Sequence, residues 1–285
     1  MQILVATDFS VRSDRAMRRA ALLAVRLSAR LTLAHVVDVD KPSSLIEADR
    51  GAASALLAEL TQTLCQVDGL EAEWRVEVDD VWAGILKAAE ETAADLIVIG
   101  PHRSRWSNAF VGTTAERVVR RSDRPLLVAV EVPSAHHRGT LLALDFDEAS
   151  EFAARRALAM GVFDHTEVVV MHAFEAPAEH LMKRALEPGT EVAEYVRAEG
   201  RAARKELQKL LADLELPPTV QTVASIKGSP ARTILEAAQQ LDSDLIVLGT
   251  NRRTGFERAL VGSVTADVIR DAHRDVLIIP VDWPN

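Results

Sequence analysis

An aspartate closing one apolar run, a glycine closing another and a Gly-Ser pair opening a helical stretch can together hold an anionic ligand. The second half of the chain carries that set: Asp145 after Leu141-Leu-Ala-Leu, Gly249 after Asp244-Leu-Ile-Val-Leu, and Gly262-Ser263 before a helical run. Between the two glycines lies the polar stretch Thr250-Asn251-Arg252-Arg253-Thr254-Gly255. Glycine after a strand lets the backbone turn sharply and approach a ligand. A helix opening at Gly262 presents unpaired N–H groups and the positive end of its dipole. Ser263 can cap that helix or donate its hydroxyl to a phosphate, and Arg252 and Arg253 add charge. Placed at the carboxyl end of a parallel sheet, where open α/β folds bind ligands, these residues make a phosphate cradle. The same spacing suits a strand–loop–helix connection that needs its glycines for geometry alone. Asp145 likewise has two readings: it accepts hydrogen bonds from a base or ribose, or it caps a helix or closes an Asx turn.

The first half repeats the pattern. Leu4-Val-Ala-Thr-Asp8-Phe9 matches Leu141-Leu-Ala-Leu-Asp145-Phe146, and Asp95-Leu-Ile-Val-Ile-Gly100 matches Asp244 through Gly249. Val111-Gly112-Thr113 matches Val261-Gly262-Ser263, and His35 lies as far beyond Asp8 as His172 lies beyond Asp145. Matched segments in a fixed order over half the chain mean two copies of one domain. The expected domains are 1–133 and 139–285, joined by the short polar stretch Pro133–Gly139. His35 and His172, flanked by apolar residues, read as hydrogen-bonded core histidines. His102 faces Asn251 in the alignment, which argues against a shared catalytic histidine, and His136-His137 are expected to be solvated.

Positioning these residues requires strands that alternate with helices. Short Val-, Ile- and Leu-rich runs separated by stretches of helical period mark βαβ units and a parallel sheet. Strands are expected near 2–7, 31–37, 73–78, 95–99 and 126–130, and again near 140–145, 166–172, 219–224, 244–248 and 276–280. Their apolar character on both faces fits a sheet covered by helices on each side. Ser10 is placed to cap the first helix, with Ala16, Ala20, Leu23, Ala24 and Leu27 as its buried stripe and the intervening arginines facing water. Val192, Val196, Ala203, Leu207, Leu210 and Leu214 share one face of a later helix, which Pro217-Pro218 must end.

Composition excludes several classes. A chain of 285 residues, 48% hydrophobic and 26% charged, has the profile of a globular protein. A net charge of −9 argues against a general nucleic-acid binder and against a polybasic membrane surface. Uninterrupted apolar runs are too short to span a bilayer. Met1-Gln2 leads straight into Ile3-Leu4-Val5, so the expectation is a chain without a basic leader and a cytoplasmic location. The single cysteine, Cys65, rules out intrachain disulfides and is expected to be a buried or half-buried thiol. A Walker A ending in Gly-Lys-Ser/Thr, a G-x-G-x-x-G after the first strands, a Gly-x-Ser-x-Gly elbow and zinc-spaced Cys/His clusters are all absent from the sequence. No acid–base–nucleophile set recurs in both halves.

The chain resembles the tandem form of the universal stress protein (UspA-like) family. The resemblance covers nearly its whole length. It rests on Val5-Ala6-Thr7-Asp8-Phe9-Ser10, Leu33-Ala34-His35-Val36, the two glycine loops and Lys227-Gly228-Ser229-Pro230. It implies two tandem doubly wound α/β domains of the adenine nucleotide alpha hydrolase-like kind, each a five-stranded parallel sheet in order 3-2-1-4-5. ATP-binding members use Gly-x2-Gly-x9-Gly-Ser/Thr for the phosphates, with or without Mg²⁺, and the aspartate after the first strand for ribose or base. Carried over, the nucleotide-binding set is Asp145, Ala173, Gly249, Arg252, Gly262, Ser263 and Val264. The weaker first-domain set is Asp8, Val36, Gly100, Arg103, Gly112, Thr113 and Thr114. Arg252 and Arg103 stand where the middle glycine belongs, and in the first half the following gap is one residue short. Asp79 and Val81 align with Gly228 and Pro230, and Asp79-Asp80 would repel a polyphosphate. The second crevice is therefore the expected nucleotide site. The resemblance also implies that strands 126–130 and 276–280 meet, making an intrachain pseudo-dimer, with a homodimer of chains as a further option. Three roles compete: a stress-response regulator binding adenine nucleotide, a nucleotide-free interaction scaffold, and a slow ATPase for which no water-orienting residue can be named.

Overall fold

A computed structural model describes residues 1–101, 114–185, 190–217, 219–250 and 262–281. In the first half, β1 (Gln2–Ala6), α1 (Val11–Leu27), β2 (Arg30–Asp38), α2 (Ser43–Val67) and β3 (Ala72–Asp79) are followed by α3 (Val81–Glu91), β4 (Leu96–Ile99), α4 (Thr114–Arg121) and β5 (Leu126–Val128). The second half runs β6 (Gly139–Ala143), α5 (Glu148–Ala159), β7 (Glu167–Phe174), α6 (Glu179–Ala185) and α7 (Thr190–Asp213). It continues with β8 (Val220–Ser225), α8 (Pro230–Gln240), β9 (Leu245–Thr250), α9 (Ser263–Asp271) and β10 (Asp275–Pro280). The elements fall where the apolar periods placed them.

All ten strands form one sheet, ordered β3-β2-β1-β4-β5-β10-β9-β6-β7-β8. Each half is parallel and has the order 3-2-1-4-5 in its own count. The halves join where β5 and β10 pair antiparallel, Leu127 opposite Leu277. One apolar layer packs α1, α2, α5 and α7 on one face, through Ala16, Ala20, Leu57, Ala153 and Leu207 among others. The other packs α3, α4, α8 and α9 through Ile85, Val118, Ile234 and Val268. Truncating a fully buried leucine such as Leu207 costs about 2–5 kcal/mol in lost transfer energy and cavity.

The recurring aspartates before β4 and β9 have a structural task. Asp95 accepts the Gln2 N–H (2.7 Å) and Asp244 accepts those of Arg138 and Gly139 (3.0 and 3.1 Å), so each fixes the start of its domain's first strand. The recurring histidines are core groups, as read: His35 Nδ1–H donates to the Thr7 carbonyl and His172 Nδ1–H to the Leu144 carbonyl, both at 2.8 Å. Each ring is covered by the phenylalanine after the crevice aspartate, with ring centroids 4.6 Å apart for Phe9–His35 and 4.1 Å for Phe146–His172.

Three expectations fail. Arg19 does not face water, and His137 is not solvated; both are buried. They converge on Asp275, itself fully buried, with Arg19 Nε at 2.7 Å and His137 Nε2 at 2.9 Å. The Val130 and Glu131 amides also donate to Asp275, at 2.8 and 3.0 Å. That is why β5 ends at Val128 rather than at 130: the next amides leave the ladder for a carboxylate of the other half. Burial acts to raise the pKa of Asp275, but the His137 hydrogen bond, the Arg19 charge and the backbone donors outweigh it and hold the carboxyl below the usual range. Cys65 is exposed, because the face of α2 turned to the core runs through Ala53, Leu57, Leu60 and Leu64, and Cys65 lies one residue round from Leu64.

Candidate functional site

Both crevices lie at the carboxyl end of the sheet. In the second half, β6 pairs with β9 so that Ala143 sits opposite Leu248, which brings the residues just beyond them, Leu144–Asp145 and Gly249–Thr250, to one edge. Ala173 is half-buried near the end of β7, against Ala224 of β8. In the first half Val5 pairs with both Leu33 and Val98, which brings Asp8, Val36 and Gly100 to the corresponding edge. Arg103, Gly112, Thr113, Arg252, His102, Asn251 and Arg253 lie outside the described residues. Thr114 is the exposed first residue of α4.

The two glycines of the second crevice differ in why they are glycine. A Cβ on Gly249 would lie 2.5 Å from the Ala149 carbonyl oxygen, because the first turn of α5 rests directly on β9. Gly100 is crowded in the same way, 2.8 Å from the Arg12 carbonyl oxygen of α1. Helix-to-strand packing alone requires both, and Gly249 does not turn the chain as expected: it lies within β9, paired with Ile279. Gly262 has no such demand. It caps α9 at φ −48°, which any residue adopts, and no described atom lies within 4 Å of where its Cβ would be. Among the described residues no side chain caps the helix. Ser263 is the first helical residue and its side chain is exposed, so of its two sequence readings the cap is not realised. The amino end of α9, with Val264 beside it, therefore carries N–H donors for which no described side chain serves as cap.

Around the aspartates the structure adds two residues that the motif reading missed. Asp147 caps α5 by accepting the Ser150 N–H at 2.8 Å, and the Ser150 hydroxyl donates to Asp145 Oδ1 at 2.9 Å. Loss of surrounding solvent, followed by the neighbouring Asp147 carboxylate, raises the pKa of Asp145 above the ordinary carboxylate value, against the lowering effect of Ser150. A cap residue followed three positions later by Ser was the available signal. In the first half Ser10 is the cap, and its N–H and hydroxyl both go to Asp8 Oδ1. Asp8 therefore closes an Asx turn, one of the two readings given for these aspartates.

The remaining entrances also differ. Gly228 takes φ +86°, a conformation that favours glycine, and Ser229 then caps α8. The first half has Asp79 and Asp80 at this corner, with the Asp80 N–H donating back to Asp79 at 2.8 Å. Among the described residues no group of three or more His, Cys, Asp or Glu is placed to hold a metal ion. No described helix is long and apolar enough to cross a membrane.

The model of the universal stress protein family matches residues 1–130 and 138–280. A universal stress protein of Mycolicibacterium smegmatis is 25% identical over 294 residues, spanning 97% of this chain and 96% of that protein. One from Methanocaldococcus jannaschii is 36% identical over 88 residues, 31% of this chain and 50%, or half, of that protein. The crystal structure of a universal stress protein from Archaeoglobus fulgidus superposes with a TM-score of 0.68 at 19% identity, covering 98% of each chain. That of a putative universal stress protein from Pseudomonas aeruginosa gives 0.69 at 19% identity over 98% of this chain and 92% of the other, and these two likenesses speak to the fold. With two copies of the family's domain spanning nearly its full length, the chain belongs to the universal stress protein family.

Proposed function

We propose that the protein is a stress-response regulator that binds adenine nucleotide, ATP in the first instance, in its second-domain crevice. Gly262 carries the reading. Neither backbone conformation nor packing among the described residues asks for glycine there, so the missing side chain leaves room for a ligand at the helix entrance. The N–H groups at the start of α9 and the Ser263 hydroxyl would receive phosphate, Val264 would flank it, and Asp145 and Ala173 would face ribose and base. Gly249 would line the strand end beside the ligand, and Arg252 would contribute a charge that can pair with phosphate. The first crevice has the weaker set, with Asp79 and Asp80 where the second has Gly228 and Ser229. The role is regulatory rather than catalytic and is exercised in the cytoplasm.

Denaturing the purified protein and analysing the released small molecules by mass spectrometry tests this. ATP or AMP is expected, in reduced amount from Ser263→Ala and Gly262→Arg. A nucleotide-free preparation whose melting temperature does not move with ATP and Mg²⁺ contradicts it.

One observation favours a second reading, a nucleotide-free scaffold. Gly100 and Gly249 are fully accounted for by the helices resting on them, so two of the motif's glycines need no ligand. A melting temperature indifferent to nucleotide, together with retained binding of a protein partner, is the outcome that selects it.

A further inference from the structure

The two crevice aspartates occupy equivalent places but are held differently, and the cause lies one residue earlier. In the first half that residue is Thr7, buried, whose hydroxyl accepts the Phe9 N–H at 3.0 Å. Phe9, the middle residue of the Asp8–Ser10 turn, takes φ +59°, a region that non-glycine residues enter at a cost. The Thr7 hydroxyl also meets the Ser13 hydroxyl at 3.0 Å. Ser13 gives its proton to the Ser10 carbonyl at 2.9 Å, so Thr7 is the donor of that pair. Ser13 is thereby occupied, and Asp8 turns to Ser10.

In the second half the corresponding residue is Leu144, which has no hydroxyl. Phe146 is not among the residues with positive φ. The Asp145 N–H instead donates to the Ser150 hydroxyl at 3.2 Å, and that hydroxyl donates on to Asp145 Oδ1 at 2.9 Å, in preference to the Asp147 carbonyl, the counterpart of the Ser10 carbonyl, which lies farther off at 3.2 Å. Ser150 holds the position of Ser13, five residues beyond its aspartate. The same serine therefore serves a threonine in one copy and the aspartate in the other.

We propose that the residue before the crevice aspartate, Thr7 or Leu144, is a specificity-determining position: leucine releases Ser150 to fix the Asp145 carboxylate, whereas threonine claims Ser13 and leaves Asp8 to an Asx turn. Ser150 is then a positioning residue. It acts through Asp145, and the two crevices present their carboxylates differently to any ligand. The consequence for nucleotide affinity rests on the reading of the second crevice given above; the placement of the carboxylates does not.

The test is exchange of the hydroxyl. Leu144→Thr supplies the competitor for Ser150, Ser150→Ala removes the donor, and Thr7→Val deletes the first-half hydroxyl at nearly constant shape. Carboxyl-carbon NMR titration of the full chain should show the Asp145 midpoint moving upward in both L144T and S150A, because a hydrogen bond that favours the charged form is lost. In a crystal structure of T7V, the Ser13 hydroxyl should turn to the Asp8 carboxylate, as Ser150 does to Asp145. ATP affinity, measured by calorimetry, should fall about fivefold in S150A, as expected for one lost hydrogen bond. An Asp145 midpoint unmoved in both L144T and S150A overturns the proposal, as does a Ser13 hydroxyl that stays away from Asp8 in T7V. Shifted midpoints in a protein that binds no ATP support the positioning role and overturn the nucleotide reading instead.

Discussion

Thr7-Asp8-Phe9-Ser10 and Leu144-Asp145-Phe146-Asp147 are the same turn in two copies of one domain, and they now do different things. The parts that build the sheet have stayed alike. Asp95 and Asp244 fasten the first strands, His35 and His172 bond the carbonyls at their ends, and Gly100 and Gly249 let a helix rest on a strand. The parts that face the crevice have drifted: threonine against leucine, Ser10 against Asp147 as cap, Asp79-Asp80 against Gly228-Ser229. The junction has drifted as well. Arg19 reaches across to the buried Asp275, whereas its counterpart Arg156 lies over Phe152 at 5.3 Å. Packing constrains both copies alike, because a core position has the same neighbours in each. On the proposed reading a crevice position answers to its ligand instead, and a single nucleotide site per chain would leave the other copy free to drift.

The largest effect should come from the buried contact between Arg19 and Asp275 at the junction. Asp275→Ala leaves the buried Arg19 without its counter-charge and should cost about 3–5 kcal/mol, read by chemical denaturation. The pH dependence has a definite sign. The folded pKa of Asp275 lies below the unfolded value, so its contribution is complete above the unfolded pKa and is lost as pH falls through the folded one. Wild-type protein should lose stability in acid more steeply than Asp275→Asn. Equal acid sensitivity would show that this carboxylate does not distinguish the junction from the rest of the fold.

Next come the crevices. If the second alone takes nucleotide, ATP at about 100 times its dissociation constant should stabilise the wild type by about 2.7 kcal/mol. The shift should vanish in Gly262→Arg and survive in Gly112→Arg. The glycines under the helices should then behave alike. Gly249→Ala and Gly100→Ala should each destabilise by about 2 kcal/mol, since a backbone carbonyl cannot yield as a side chain can, with Gly249 the worse by its closer contact. A neutral Gly249→Ala would mean that this glycine is kept for a ligand. Smallest is Asp145→Asn. Asp145 has a raised pKa in the folded protein, so its favourable contribution belongs to low pH and is lost as pH rises through the folded value. The variant should be slightly more stable at neutral pH, with the difference closing in acid.

The sequence made the sheet legible because apolar runs buried on both faces have few alternatives, and every strand falls within a few residues of its expected place. The junction strands were legible through the family resemblance, and they pair. Polar burial across the halves was not legible. Arg19 looks like a solvent-facing arginine on an amphipathic helix until Asp275, distant in sequence, is seen beside it. The same holds for His137, where a polar linker concealed a buried ring. At the crevice the sequence offered Asp145 and Gly262 as candidates but not the hydrogen bonds of Ser150, whose partner, on the proposal above, depends on whether a neighbouring residue carries one hydroxyl.

The most direct test is the ATP stoichiometry of the intact chain, measured by native mass spectrometry or calorimetry on wild type, Gly262→Arg and Gly112→Arg. One nucleotide per chain, lost in Gly262→Arg and kept in Gly112→Arg, is the predicted result. No bound nucleotide, or loss in Gly112→Arg with retention in Gly262→Arg, contradicts the account.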